Sequence, residues 1–115
     1  MPVLLVGAGD AGIMAVREIR SRGEQDMEIR GFVDDDLAKK GATISGIRVL
    51  GSTEDLPKLV PALGIEQVIV TLTDATEEET RRILSIGQAI PVRMQMVPTL
   101  YDLLQGRTSL NGPSA

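Results

Sequence analysis

The stretch Val3-Leu4-Leu5-Val6-Gly7-Ala8-Gly9-Asp10-Ala11-Gly12 decides how the rest of the chain is read. Its first four residues are an unbroken apolar run, as in a strand buried on both faces. Three glycines follow, and then Ile13, Val16 and Ile19 recur at helical spacing, with Met14 and Ala15 beside them. Arg17, Glu18, Arg20 and Arg22 lie mostly on the other side, and Gly23 marks a helix stop. Gly7-x-Gly9-x-x-Gly12 gains chemical meaning from this strand–turn–helix context. Gly7 permits a tight turn, Gly9 has no side chain to block a pyrophosphate, and Gly12 lets helix and strand pack closely. The helix N–H groups then face an anion, with the helix dipole in favour. The bland alternative is that the glycines only make the turn.

The same alternation continues downstream. Glu28–Val33 reads as a second strand, Ile47–Leu50 as a third, Gln67–Leu72 as a fourth and Pro91–Val97 as a fifth. Residues 37–46 read as an irregular or partly helical connection. Ser52 opens a second helix with Asp55 at the capping-box position, Pro57 and Pro61 limit it, and Gly64 ends it. Thr76 and Glu79 repeat the capping pattern before a helix to about Ile86, and Tyr101–Leu104 is a last helical turn. Met14, Met94 and Met96 are expected in the core. Strands alternating with helices mean parallel strands joined by crossovers. The expected fold is α/β: a Rossmann-like, three-layer, doubly wound parallel sheet of about five strands in the order 3-2-1-4-5. Residues 1–105 form this NAD(P)-binding type of domain, and 106–115 a tail or truncated linker.

Composition narrows the function. The chain has 115 residues, 43% hydrophobic and 24% charged, and a net charge of −4, which suits one globular domain. An acidic chain with only Phe32 and Tyr101 as aromatics is a poor nucleic-acid binder. There is no histidine and no cysteine, so no Ser/His/Asp set, no thiolate nucleophile and no Cys- or His-ligated metal. No secretory signal or membrane span is visible, and the expected compartment is the cytoplasm. Tyr101 is followed four residues on by Gln105, not by the lysine a short-chain dehydrogenase needs. Binding is better supported than turnover: no catalytic or metal residue is assigned.

The binding residues expected are Gly7, Ala8, Gly9, Asp10, Ala11 and Gly12 of the turn, with Asp34, Asp35, Thr71, Leu72 and Thr73. Asp34 lies 22 residues after Gly12, where an acidic side chain can accept from a ribose hydroxyl. A 2′-phosphate there would meet a carboxylate, so NAD is favoured over NADP. Asp35 and Asp36 fit a solvated turn and cap at least as well. Thr71 and Thr73 follow the fourth strand, beside the crevice where parallel sheets hold ligands; Thr73 or Asp74 can equally cap the next helix. Glu77-Glu78-Glu79 suits the positive end of a helix dipole.

Four segments in order, residues 6–12, 31–36, 44–52 and 97–106, give the chain a family likeness. It resembles the N-terminal nucleotide-binding domain of CapD-like polysaccharide biosynthesis proteins, the membrane-anchored nucleotide-sugar epimerases and 4,6-dehydratases. The resemblance runs to about Asn111 and carries over Gly7, Gly9, Gly12 and Asp34 cleanly, Thr71 and Thr73 less so. In that family membrane helices precede this domain, and a catalytic domain with its own Tyr and Lys follows it. The resemblance implies an excised domain or a stand-alone relative. Its parent would be a lyase or isomerase of capsular or surface polysaccharide biosynthesis at the cytoplasmic face of the inner membrane. The domain itself would bind a dinucleotide or nucleotide and touch neither membrane nor nucleic acid. Two alternatives stand beside this reading. One is a CoA- or nucleotide-sugar-binding regulatory domain, although three aspartates would repel the 3′-phosphate of CoA. The other is a structural module, a homo-oligomer without ligand.

Overall fold

The computed structural model describes residues 1–23, 26–71 and 75–97. In chain order it contains β1 (Pro2–Val6), α1 (Asp10–Ser21), β2 (Glu28–Val33), β3 (Thr43–Ile44), β4 (Ile47–Gly51), α2 (Leu56–Leu63), β5 (Gln67–Val70), α3 (Glu77–Gln88) and β6 (Arg93–Met96). The strands form one sheet in the order β3-β4-β2-β1-β5-β6. All neighbours pair in parallel except β3 and β4. The five strands expected from the sequence therefore stand in the expected order. Leu72, Thr73, the last helical turn and the tail at 106–115 lie outside the described residues.

The apolar run of β1 explains its central place. Val3, Leu4, Leu5 and Val6 are each 0% exposed, with β2 on one side and β5 on the other. Alternate side chains enter different cores. Leu4 and Val6 join Val33, Val68 and Val70 under Leu56, Val60 and Ile83 of α2 and α3. Leu5 joins Phe32, Val49 and Ile69 under Val16 of α1. Helices thus cover both faces, and the chain changes face where it passes from β4 through α2 to β5. β1 and β5 border the point where the winding reverses.

The helix ends follow local chemistry. The Asp55 carboxylate accepts the Ser52 N–H at 2.9 Å ahead of α2, and Gly64 closes that helix. The Thr76 hydroxyl accepts the Glu79 N–H at 3.0 Å, and Glu77, Glu78 and Glu79 occupy the first turn of α3. Among the described residues no helix is long and apolar enough to cross a membrane.

Two expectations are corrected. Residues 37–46 hold the expected helical turn, at Leu37–Lys39, but also an unexpected strand, because β3 turns back onto β4 through Ser45 and Gly46, both with positive φ. That pair of conformations suits a two-residue hairpin turn. The methionines do not form one core set. Met94 packs against the α2–α3 core, whereas Met14 is 61% and Met96 44% exposed. Met14 projects from the solvent side of α1, next to rather than within its buried stripe of Gly12 and Val16.

One polar cluster ties three elements together at the carboxyl ends of the strands. Asp35, just past β2, accepts the Thr53 N–H at 2.9 Å and the Thr53 hydroxyl at 2.9 Å. Arg82 of α3 donates to Asp35 at 2.6 Å and to the Thr53 hydroxyl oxygen at 3.1 Å. Partial burial alone would raise the Asp35 carboxyl pKa, but the Thr53 N–H and hydroxyl and the Arg82 guanidinium outweigh it and hold the group below its ordinary value. Its contribution to stability is therefore complete above the unfolded value of about 3.9 and is lost as pH falls through the folded one. Both partners are over two-fifths exposed, so the pair is screened. Asp35→Asn is expected to lower stability by about 1 kcal/mol at about pH 7, with the gap to wild type closing in acid as pH falls through the lowered folded value. Urea unfolding at neutral and at acid pH measures this, and a gap that persists in acid would mean that shape, not charge, is responsible.

Candidate functional site

The glycine turn sits at the carboxyl end of β1, facing the crevice beside β5. Gly7 has φ 101°, a conformation that disfavours any side chain, and its N–H donates to the Val33 carbonyl at 2.8 Å. Gly12 lies against the Gly7 carbonyl, so that a Cβ there would collide with that oxygen and crowd the Phe32 ring. Gly9 is different. It stands in extended backbone at the start of α1, and a Cβ built on it would meet only the Lys39 ammonium, 4.0 Å away. Gly9, at the N-cap of α1, has no side chain to cap it, and among the described residues none is seen to do so. The first N–H groups of α1 and its positive dipole end thus point toward the open side of Gly9. Asp10 is exposed and Ala11 and Gly9 are partly so, whereas Gly7, Ala8 and Gly12 are buried.

Asp34 reaches the glycine turn, as its spacing implies, but its oxygens are already engaged. Oδ2 accepts the Ala8 N–H at 2.8 Å, and Oδ1 accepts the Asp36 N–H at 2.8 Å. The side chain is 15% exposed, and the Lys39 ammonium lies 3.6 Å from Oδ2. A carboxylate oxygen has more than one lone pair, so Asp34 can still accept from a ligand hydroxyl. Asp36 caps the short turn Leu37–Lys39 by accepting the Ala38 N–H at 3.0 Å. Asp35 faces away, toward Thr53 and Arg82.

Thr71 is 2% exposed, and its hydroxyl donates to the Val6 carbonyl at 2.9 Å, with the Gly7 carbonyl at 3.2 Å. Its proton is committed to holding β5 against the end of β1. Leu72 and Thr73 lie outside the described residues.

Sequence reading missed Lys39, Thr53 and Arg82. Thr53 reads as the inside of a capping box, and Arg82 as one charge on a helix face. Lys39 sits in the segment that reads as an irregular or partly helical connection. All three meet their partners through long-range packing that no short spacing encodes. A groove of about 450 Å³ also opens between the last turns of α1 and the β3–β4 turn, lined by Ile19, Arg20, Met27 and Ile47 among others. It lies at the amino ends of the strands, away from the glycine turn.

The chain is similar to known proteins over most of its length. It is 30% identical over 109 residues to "Capsular polysaccharide biosynthesis protein CapD" of Staphylococcus aureus, covering 94% of this chain and 18% of that protein. It is 28% identical over 103 residues to "Probable polysaccharide biosynthesis protein EpsC" of Bacillus subtilis (strain 168), covering 90% of this chain and 17% of that one. The chain thus spans less than a fifth of the length of these curated relatives. Among solved structures, UDP-D-quinovosamine 4-dehydrogenase from Vibrio fischeri superposes with a TM-score of 0.80 at 27% identity, covering 94% of this chain and 86% of that one. Residues 3–98 match the family model described as a CoA-binding domain, a span that takes in every element from β1 to β6, and the chain belongs to that family.

Proposed function

We propose that this chain is a nucleotide-binding module of a polysaccharide-biosynthesis protein that acts on nucleotide sugars. It takes an adenine nucleotide with a diphosphate, of the CoA or NAD type, across the carboxyl ends of β1 and β5. One observation carries this reading: Gly9 is open where the start of α1 points, while Gly12 is closed by the Gly7 carbonyl. A diphosphate there would accept from the first N–H groups of α1, favoured by the helix dipole. Asp34 would accept from a ribose hydroxyl while continuing to hold Ala8 and Asp36. The chain contributes binding and not turnover: it has no histidine or cysteine, and the carboxylates of Asp34 and Asp35 after β2 are committed to main-chain N–H groups, Thr53 and Arg82. Membership of a CoA-binding family supports the ligand class. The likeness to CapD and EpsC supports the setting.

Dye-based melting of the purified chain against NAD, NADP, CoA, AMP and UDP-N-acetylglucosamine tests the proposal. A ligand at about 100 times its Kd adds roughly 2.7 kcal/mol, which at roughly 4 °C or more per kcal/mol for a domain near this size is a rise of roughly 10 °C or more. CoA or a nicotinamide dinucleotide is expected to give that rise, and no shift with any of the five would overturn the reading. Gly9→Val fills the open space from a backbone that accepts a side chain, so the free protein should melt within about 2 °C of wild type and the ligand shift should vanish. Gly12→Ala should behave in the opposite way. Its methyl group meets the Gly7 carbonyl, so the free protein should lose at least about 2 kcal/mol, read by urea unfolding without ligand.

A further inference from the structure

The run Asp34-Asp35-Asp36 suggests a site hostile to any phosphate on the ribose, but the three carboxylates do not act together. Asp36 caps the turn that follows it. Asp35 is neutralised by Arg82. Asp34 accepts two main-chain N–H groups and has a lysine ammonium beside it. At Asp34 itself one carboxylate faces one ammonium.

Lys39 stands on fixed backbone. Its N–H donates to the Asp36 carbonyl at 3.0 Å, and its own carbonyl accepts the Ala42 N–H at 2.9 Å. Gly41 and Val49 then bind the segment to β4, with Gly41 donating to Val49 at 2.9 Å and Val49 to Ala42 at 2.8 Å. From this base the ammonium reaches a point 4.0 Å from where a Gly9 Cβ would stand and 3.6 Å from Asp34. The latter distance exceeds a hydrogen bond, so the lysine is drawn to Asp34 by charge while its three donors are not committed there. An ammonium between the ribose-reading carboxylate and the open face of Gly9 is placed to meet a phosphate monoester on the ribose.

Resting on the reading under Proposed function, we infer that Lys39 sets ligand choice: it pairs with a phosphate on the ribose of the bound nucleotide. The site therefore prefers ribose-phosphorylated nucleotides such as CoA and NADP to dephospho-CoA and NAD. This reverses the preference expected from the acidic run alone. A charge-assisted contact of this kind corresponds to about tenfold in affinity.

Calorimetric titration of the full chain with CoA, dephospho-CoA, NADP and NAD, in low and in high salt, tests this. Wild type should bind the phosphorylated member of at least one pair about tenfold more tightly, and the preference should shrink in high salt. Lys39→Gln should erase the preference and leave the affinity for the unphosphorylated partner within about twofold, while Lys39→Arg should keep it. Equal binding within each pair by wild type overturns the inference and leaves nucleotide binding standing. A preference that survives in Lys39→Gln also overturns it, as does an equal loss of all ligands, which would put Lys39 on the diphosphate. Failure of wild type to bind any of the four would remove both this inference and the reading beneath it. The ligand-free melting temperatures of the two variants confirm that both are folded.

Discussion

There is no room for a side chain between the Gly12 Cα and the Gly7 carbonyl, and the carboxyl end of the sheet is organised around that contact. It brings the first turn of α1 directly against the end of β1. The turn between them must then reverse within residues 7–9, which the positive φ of Gly7 allows. The reversal directs the start of α1 across the crevice next to β5. Asp34 and Thr71 secure it from either side: Asp34 accepts the Ala8 N–H, and Thr71 donates to Val6 and Gly7. Held in this way, the turn offers N–H groups to an anion without having to reorganise, which lowers the entropic cost of binding.

Much of this architecture is legible in the sequence because it depends on local pattern. A run buried on both faces is apolar throughout, so Val3–Val6 announces a central strand. Alternation of strands with helices gives parallel pairing, and chain order with a change of face gives the strand order. The hairpin at 43–48 was not legible by the same rule. A two-residue strand has no periodicity to detect, and its one signal is the Ser45-Gly46 pair. Met14 shows another limit. A methionine beside an apolar stripe is not necessarily inside it, since one residue along a helix turns the side chain by roughly 100°.

The site was legible as a place more than as a set of contacts. Spacing brings Asp34 to the glycine turn, and the structure puts it there. It does not reveal that both oxygens already hold main-chain N–H groups, because those partners are chosen by the path of the loop after β2. Nor does it separate Asp34 from its neighbours. Three consecutive aspartates look like one block of charge, yet each successive side chain leaves the backbone in a different direction and finds a different partner. The partners Lys39 and Arg82 come from a short turn and from α3, and only the folded chain brings these elements to the end of β2.

The residues at this edge separate by what they touch. Gly7, Gly12, Thr71, Asp35 and Arg82 meet protein: backbone carbonyls, a buried hydroxyl, or one another. Gly9 and Lys39 face each other across open space. Asp34 belongs to both groups, anchoring the turn while remaining partly exposed beside the lysine. Such a division lets a fold keep its frame while its ligand preference changes, because a substitution at position 39 alters the charge at the opening without disturbing the turn. On the role proposed for Lys39, the same frame would serve a phosphorylated or an unphosphorylated ribose according to one side chain, a change of site on an unchanged fold.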